Sequence, residues 1–205
     1  MRYGERSVLI ELDSIAPTDL LPALEKALPD TKIRPGLSSL LLTFPRPGDY
    51  LTLVFELLPT LELAKSHSLG KTLTIPTNYN GADLQLASAL LSVSPEELIR
   101  IHTSIDWMGS LIGFAPGFGY LTPKSPDSED AKLIAKIGRL PSPREKVPAG
   151  SVAIAAGMSC IYPSAMPGGW FLLGTTEIQL FNIEESEHPT LLHVGDIVRF
   201  EQVNL

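Results

Sequence analysis

From Val147 to Thr176 the chain runs thirty consecutive residues without a charge, and this one feature decides most of what it can become. The length alone would suit a membrane-spanning helix. However, the stretch carries Pro148, Pro163 and Pro167 together with Gly150, Gly157, Gly168, Gly169 and Gly174, a density that breaks a helix every turn or two. What remains is a set of short strands and tight loops buried on both sides, where neither face tolerates a charge. The remaining composition supports a folded protein. Of 205 residues, 44% are apolar and 19% charged, enough core for one large domain or two small ones and unlike disorder, coiled coil or collagen. A net charge of −7 with no basic cluster argues against nucleic acid or an anionic membrane as a partner. Cys160 is the single cysteine, which excludes an internal disulfide framework and a cysteine-rich metal site. The opening Met1-Arg2-Tyr3-Gly4-Glu5-Arg6 lacks the apolar run of a signal peptide, so a cytoplasmic location is expected.

Charge also divides the chain. Residues 1–80 carry eight basic and nine acidic side chains, residues 81–205 eight and fourteen. The first part reads as a small α/β unit. Ser7 to Leu12 is β-prone, Thr18 is placed to cap a helix through Leu28, and Gly36 precedes the apolar run Leu37 to Phe44. Tyr50 to Lys65 has helical apolar spacing, and Lys71 to Ile75 reads as a further strand. A boundary is expected at 77/78, giving an N-terminal domain 1–77 and a second domain 78–205. In the second, Leu84 to Leu91 has a helical pattern. Ser94-Pro95-Glu96-Glu97 combines an N-cap, a first-turn proline and a capping-box glutamate, starting a helix that ends near His102. Strands are predicted at Ser110 to Phe114, Ser151 to Ala155, Trp170 to Leu173, Ile178 to Phe181 and Ile197 to Phe200, with a short helix at Ala131 to Ile137. Many short strands with one or two helices point to an α+β chain whose second part is a closed or half-closed β-barrel.

Several familiar motifs fail. Gly70-Lys71-Thr72 has the tail of a phosphate loop, but Lys65 stands where that motif needs glycine, and Gly117-Phe118-Gly119 lacks the third glycine of a dinucleotide fingerprint. No Gly-x-Ser-x-Gly elbow or His-Glu-x-x-His occurs, and His102 with Asp106 lacks a third metal ligand nearby. Three segments carry candidate chemistry. In Gly113 to Leu121, glycines at 113, 117 and 119 let successive backbone N–H groups meet an anion, or else form a turn whose aromatics plug a barrel end. In Pro143 to Val152, Arg144 suits a carboxylate or phosphate and the Ser151 hydroxyl a substrate; the commoner explanations for such residues are an Arg144–Glu surface pair and a turn-closing serine. Ile161-Tyr162-Pro163 and Met166 to Trp170 form a rigid, amphipathic pocket lining or a piece of core. His102 at a helix end is an acid–base candidate or a cation on the helix dipole.

Taken in order, Ile101-His102, Ile112 to Leu121, Pro143-Arg144, Val147 to Val152, Ile161-Tyr162-Pro163, Pro167-Gly168-Gly169-Trp170 and Gly195 to Phe200 resemble the allophanate hydrolase subunit 1 family over roughly residues 75 to 205. The resemblance implies a small N-terminal α/β domain and a C-terminal cyclophilin-like β-barrel. It also implies a role as one subunit of an ATP-dependent 5-oxoprolinase, beside a companion carboxyltransferase-type barrel subunit and a third hydrolase subunit. ATP would be bound by the complex, with no metal in this chain. The alternatives it carries are the carboxyltransferase half of a biotin-dependent urea carboxylase system, with biotin supplied from elsewhere, and a non-catalytic inhibitor of a histidine kinase. Carried over by motif, His102, Arg144 and Tyr120 are the catalytic candidates. Pro116, Gly117, Gly119, Ser151, Tyr162 and Trp170 are the substrate-binding ones. Three segments depart from the family pattern. Tyr79-Asn80-Gly81-Ala82-Asp83-Leu84 is shortened and lacks the acidic residue of the family's Tyr-Gly-Gly-Glu-type segment, Ser159-Cys160 replaces Thr-Gly, and Gly174-Thr175-Thr176 replaces Gly-Arg-Thr.

Overall fold

Alternation in the first strands sets one apolar face. Val8 and Ile10 of β1 (Ser7–Glu11) lie opposite Leu42 and Leu40 of β3 (Ser39–Thr43), and all four are buried. β2 (Lys32–Pro35) pairs with the other edge of β3, giving an antiparallel sheet in the order β1-β3-β2. The helices α1 (Pro17–Ala27) and α2 (Leu51–Leu57) cover it with Leu20, Leu24 and Val54. The computed structural model describes residues 1–13, 15–62, 70–185 and 189–203 and contains two compact units, Met1–Ser68 and Leu69–Leu205. Two details differ from the sequence expectation. Helix α1 starts one residue before Thr18, because Pro17 has the fixed φ suited to a first helical position, and its N-cap is Ala16, without a side-chain cap. Helix α2 passes at Leu58 into a single 3₁₀ turn, Leu58–Thr60, containing Pro59, which cannot continue the donor ladder. The rest of the predicted helix, from residue 63, lies outside the described residues.

The second unit is a seven-stranded sheet in the order β11-β8-β9-β6-β5-β12-β4. Its strands are β4 (Thr72–Thr77), β5 (Trp107–Ile112), β6 (Gly119–Pro123), β8 (Ser151–Ala155), β9 (Met158–Ile161), β11 (Phe171–Thr175) and β12 (Ile197–Gln202). The strand predicted at Lys71 to Ile75, read as the last of the N-terminal unit, is β4, and it pairs in parallel with β12 in this sheet. Just beyond β4, Asn78 exchanges two backbone hydrogen bonds with Thr175 of β11, at 2.9 and 2.8 Å. The two edge strands therefore meet at one end, and the sheet nearly closes into a barrel. A separate ribbon pairs β7 (Arg144–Val147) with β10 (Met166–Gly168).

Helices α3 (Leu84–Leu91), α4 (Pro95–Ser104) and α5 (Glu129–Ile134) complete this unit. The Ser94 N-cap forms, its Oγ accepting the Glu97 amide at 3.2 Å, while the Glu97 carboxylate pairs with Arg100 instead of reaching back to Ser94, so half of the expected capping box is made. No strand forms at Ile178–Phe181 beyond a single bridge from Phe181 to Thr190. There the Ile178 amide turns to the Thr176 hydroxyl, and Gln179 Nε2 donates to the Phe181 carbonyl, so local side chains take up groups a ladder would need. Among the described residues no helix is long and apolar enough to cross a membrane.

The uncharged stretch becomes β8, β9, β10 and β11, and every residue of β8 is buried. Its side chains alternate between two clusters. Val152, Ile154, Ile161, Phe171 and Leu173 join Leu98, Ile101 and Trp107 in the main core. Ala153, Ala155, Cys160, Tyr162 and Leu172 face a second cluster with Phe118 and Trp170. A strand with core on both faces has no position left for a charge, which accounts for the thirty uncharged residues.

Candidate active site

The second cluster forms the floor of a cavity of about 410 Å³. Phe118, buried, is its hub. Its ring meets Phe114 at 5.4 Å, Tyr120 at 5.0 Å, Tyr162 at 5.5 Å and Trp170 at 6.4 Å between centroids, three of the four edge-on, the geometry aromatic quadrupoles favour. Phe114 stands at the cavity with 70% of its surface exposed. Its φ of +75° is costly for a bulky side chain and typical of residues held in place for a ligand. The opposite wall is made by Leu140, Pro143, Pro167, Gly168 and Gly169. It is tied together by the Leu140 amide donating to the Gly169 carbonyl at 2.8 Å. Gly168 is glycine because any Cβ there would run into the Tyr162 hydroxyl. Arg139 is the charged residue of the lining.

Burial pushes the Tyr162 phenol far above its ordinary value. It also raises Tyr120, helped by Cys160 and opposed by the positive charge of Arg139. Both phenols are thus O–H donors at neutral pH. The cavity offers a guanidinium, two hydroxyl donors and aromatic walls, and among the described residues no carboxylate lines it.

Of the residues predicted from sequence, Tyr120, Tyr162 and Trp170 line this cavity, and the others stand elsewhere. His102 is fully buried in the main core. Its Nδ1 lies 2.7 Å from the Tyr79 hydroxyl and its Nε2 2.9 Å from Ser159 Oγ, which in turn reaches the Ala153 carbonyl at 3.3 Å. One proton arrangement satisfies the whole chain: Tyr79 O–H to Nδ1, Nε2–H to Ser159, Ser159 O–H to Ala153. Burial lowers the imidazole to about 3, so His102 is neutral at physiological pH, and it stands outside the cavity lining.

Arg144 is held by Asp83 rather than left free for a ligand. Its Nη2 donates to Asp83 Oδ1 at 2.6 Å, while Asp83 Oδ2 accepts the Leu172 amide at 2.8 Å. Asp83 is buried and the Arg144 side chain is 32% exposed. Arg144 Nη1 is shielded from solvent with no hydrogen-bond partner among the described residues. Ser151 is buried and closes a turn, its Oγ donating to the Pro148 carbonyl at 2.8 Å. Gly117, at φ +78°, backs onto Leu180 and Phe181, where a Cβ would lie 2.8 Å from the Phe181 Cβ. Gly119 pairs with Ile112 in the sheet, and Pro116 is exposed on the turn between β5 and β6. Gly117 and Gly119 are thus packed into the barrel, and it is the loop's aromatics, Phe114, Phe118 and Tyr120, that reach the cavity. Arg139 and Leu140 were not singled out from sequence, and Phe114 only as one aromatic of the Gly113 to Leu121 loop. The signal available was Gly138-Arg139-Leu140-Pro141, a lone cation in a breaker-rich segment just after a helix.

The segments that depart from the family pattern meet one another. Thr175 Oγ1 donates to Asn80 Oδ1 at 3.1 Å, and Ser159 is the partner of His102.

A triphosphate does not fit this arrangement. The cavity brings one cation to its lining, and Gly70 of the Gly-Lys-Thr turn donates its amide to the Gly195 carbonyl and packs its open side on Asp196, so no phosphate cradle forms there. No group of three or more potential metal ligands occurs among the described residues.

The profile of the carboxyltransferase domain, subdomain C and D, matches residues 2–192. A 5-oxoprolinase subunit from Bacillus subtilis (strain 168) is 40% identical over 70% of this chain and 58% of its own length, so the match spans rather more than half of that relative. The corresponding 5-oxoprolinase subunit from Escherichia coli O157:H7 is 32% identical over 96% of this chain and 92% of its own. Among solved structures, TTHA0988 superposes with a TM-score of 0.76 at 28% identity, over 97% of this chain and 40% of that one. The K. lactis urea amidolyase gives a TM-score of 0.76 at 17% identity, over 98% of this chain and 14% of that one, a likeness of fold. With a profile match across nearly the whole sequence and a relative aligned end to end, the chain belongs to the carboxyltransferase domain, subdomain C and D, family.

Proposed function

We propose that this chain is a subunit of an ATP-dependent 5-oxoprolinase, which opens 5-oxo-L-proline to L-glutamate while ATP is cleaved to ADP and phosphate. It acts with a companion barrel subunit and a third hydrolase subunit, in the cytoplasm. The observation that carries the reading is the makeup of the cavity. The family motifs bring Tyr120, Tyr162 and Trp170 to one hollow that can bind and orient a small polar ring, while His102 sits apart in the core. A chain so arranged holds a substrate and leaves activation and water attack to groups from its partners. The 5-oxoprolinase relatives aligned over 70% and 96% of the chain support the same reaction.

Within this reading the Tyr120 hydroxyl donates to a carbonyl oxygen of the substrate, and Tyr162 and Trp170 form the wall the ring packs against. Arg144 keeps β7, which carries the β10 ribbon, fixed to the start of α3 through Asp83. ATP is handled outside this cavity.

The test is ADP release by the chain mixed with its companion subunits, with 5-oxo-L-proline and, separately, with urea plus a biotinylated carrier. Release that depends on 5-oxoproline is expected. Release only in the urea arm makes the chain a carboxyltransferase half, and silence in both sinks the enzymatic reading.

A further inference from the structure

The cavity lining is chemically one-sided, and that asymmetry specifies what it takes. It presents donors, aromatic faces and Arg139. The backbone on either side of Arg139 is fixed. The Ile137 carbonyl accepts the Ala156 amide at 2.8 Å, and the Leu140 amide donates to Gly169 at 2.8 Å. Arg139 is itself exposed and has no carboxylate partner among the described residues. Other arginines of this unit are committed: Arg100 to Glu97 and Asp130, Arg144 to Asp83, Arg199 to Asp106. A cation anchored at its backbone, free at its head and placed beside a hydroxyl donor is arranged to meet an anion.

Resting on the 5-oxoprolinase reading, we propose that the cavity binds a small, singly charged cyclic carboxylate, with Arg139 holding the carboxylate and the aromatic walls, Phe114 and Trp170 foremost, holding the ring. One cation matches one negative charge, and about 410 Å³ accommodates a five- or six-membered ring while most of it is withdrawn from water. The same ring without its carboxylate offers Arg139 no charge to pair with and binds more weakly. Arg139 is thus the specificity-determining residue of the cavity.

Trp170 reports occupancy, since Trp107, the other tryptophan, is buried in the main core with its indole N–H on the His102 carbonyl. The probes are 5-oxo-L-proline, pyrrole-2-carboxylate and 2-pyrrolidinone, with inorganic phosphate as the plain anion. They are titrated by tryptophan fluorescence against the chain and the assembled complex. Both carboxylates should quench or shift the emission at least about tenfold more tightly than 2-pyrrolidinone. The Arg139→Ala variant should lose about 10- to 100-fold in carboxylate affinity, Arg139→Lys should recover part of it, and neither should change 2-pyrrolidinone binding. Equal affinities for the carboxylates and 2-pyrrolidinone, unchanged carboxylate binding in Arg139→Ala, phosphate binding as tight as the carboxylates, or no response to any probe each overturn the proposal. Failure of the site and failure of the reaction are distinguishable. A complex that turns over no 5-oxoproline but binds pyrrole-2-carboxylate through Arg139 refutes the reaction and keeps the site. Turnover with a KM unchanged in Arg139→Ala does the reverse.

Discussion

Replacing Arg144 by alanine tests whether this arginine is a scaffold or a ligand group. In the native protein the Asp83 carboxylate is 7% exposed and accepts from two donors, Arg144 Nη2 at 2.6 Å and the Leu172 amide at 2.8 Å. Without Arg144 the carboxylate stays buried with the Leu172 N–H alone. Breaking a fully buried pair costs about 3–5 kcal/mol. Arg144 is 32% exposed, and water entering the space it leaves offsets part of that, so the loss is about 2–3 kcal/mol. For a domain of this size that corresponds to a fall in Tm of roughly 6–10 °C. Asp83→Ala should cost a similar amount, since it strands both the guanidinium and the Leu172 amide. The double variant should fall short of the sum by about 1–2 kcal/mol, the signature of a direct contact. Thermal and urea unfolding of the four proteins measure the cycle. If Arg144→Ala melts within about 1 °C of the parent, or the two single changes simply add, the pair does not support the fold and the scaffold assignment is wrong.

Further outcomes follow from other contacts. Gly168→Ala pushes a methyl group into the Tyr162 hydroxyl and ring; it should shift Trp170 fluorescence, weaken cavity binding and cost about 1–3 kcal/mol, whereas Gly138→Ala, with open space around its Cβ position, should leave the cavity unchanged. His102 stays neutral down to about pH 3 in the folded protein, while the unfolded chain takes up this proton near about 6.5. Stability is therefore complete above about pH 6.5 and falls below it by about 1.4 kcal/mol per pH unit. Urea titrations between about pH 6.5 and 5 should show that slope diminished in His102→Gln. Ser94→Ala removes the cap on the Glu97 amide and should cost about 1 kcal/mol, read as a lowered urea midpoint with unchanged ligand binding.

Local signals in the sequence were reliable where one short-range rule acted alone. The Ser94 N-cap, α3 and the strand Ser151–Ala155 formed as predicted, and the α+β organisation with a nearly closed barrel follows from the run of short strands. Pairing partners were not legible, because they depend on contacts between distant segments. β4 reads as a strand from its composition, but only its parallel pairing with β12 assigns it to the barrel. β9 and β10 are too short and too rich in glycine and proline nearby to stand out. The same limit governs the cavity. Aromatics and prolines announced a pocket, while Arg139 reaches it only because the Leu140–Gly169 hydrogen bond brings two loops together. His102 shows the converse. A histidine near a helix end suggested chemistry, and the side chains that bury and saturate it, Tyr79 and Ser159, come from far along the chain.

The most direct test of the account is formation of L-glutamate from isotopically labelled 5-oxo-L-proline and ATP by the reconstituted subunits, run with and without this chain. Glutamate should appear only when the chain is present, in step with ADP. Equal glutamate formation in its absence, or none with every subunit present, would contradict it.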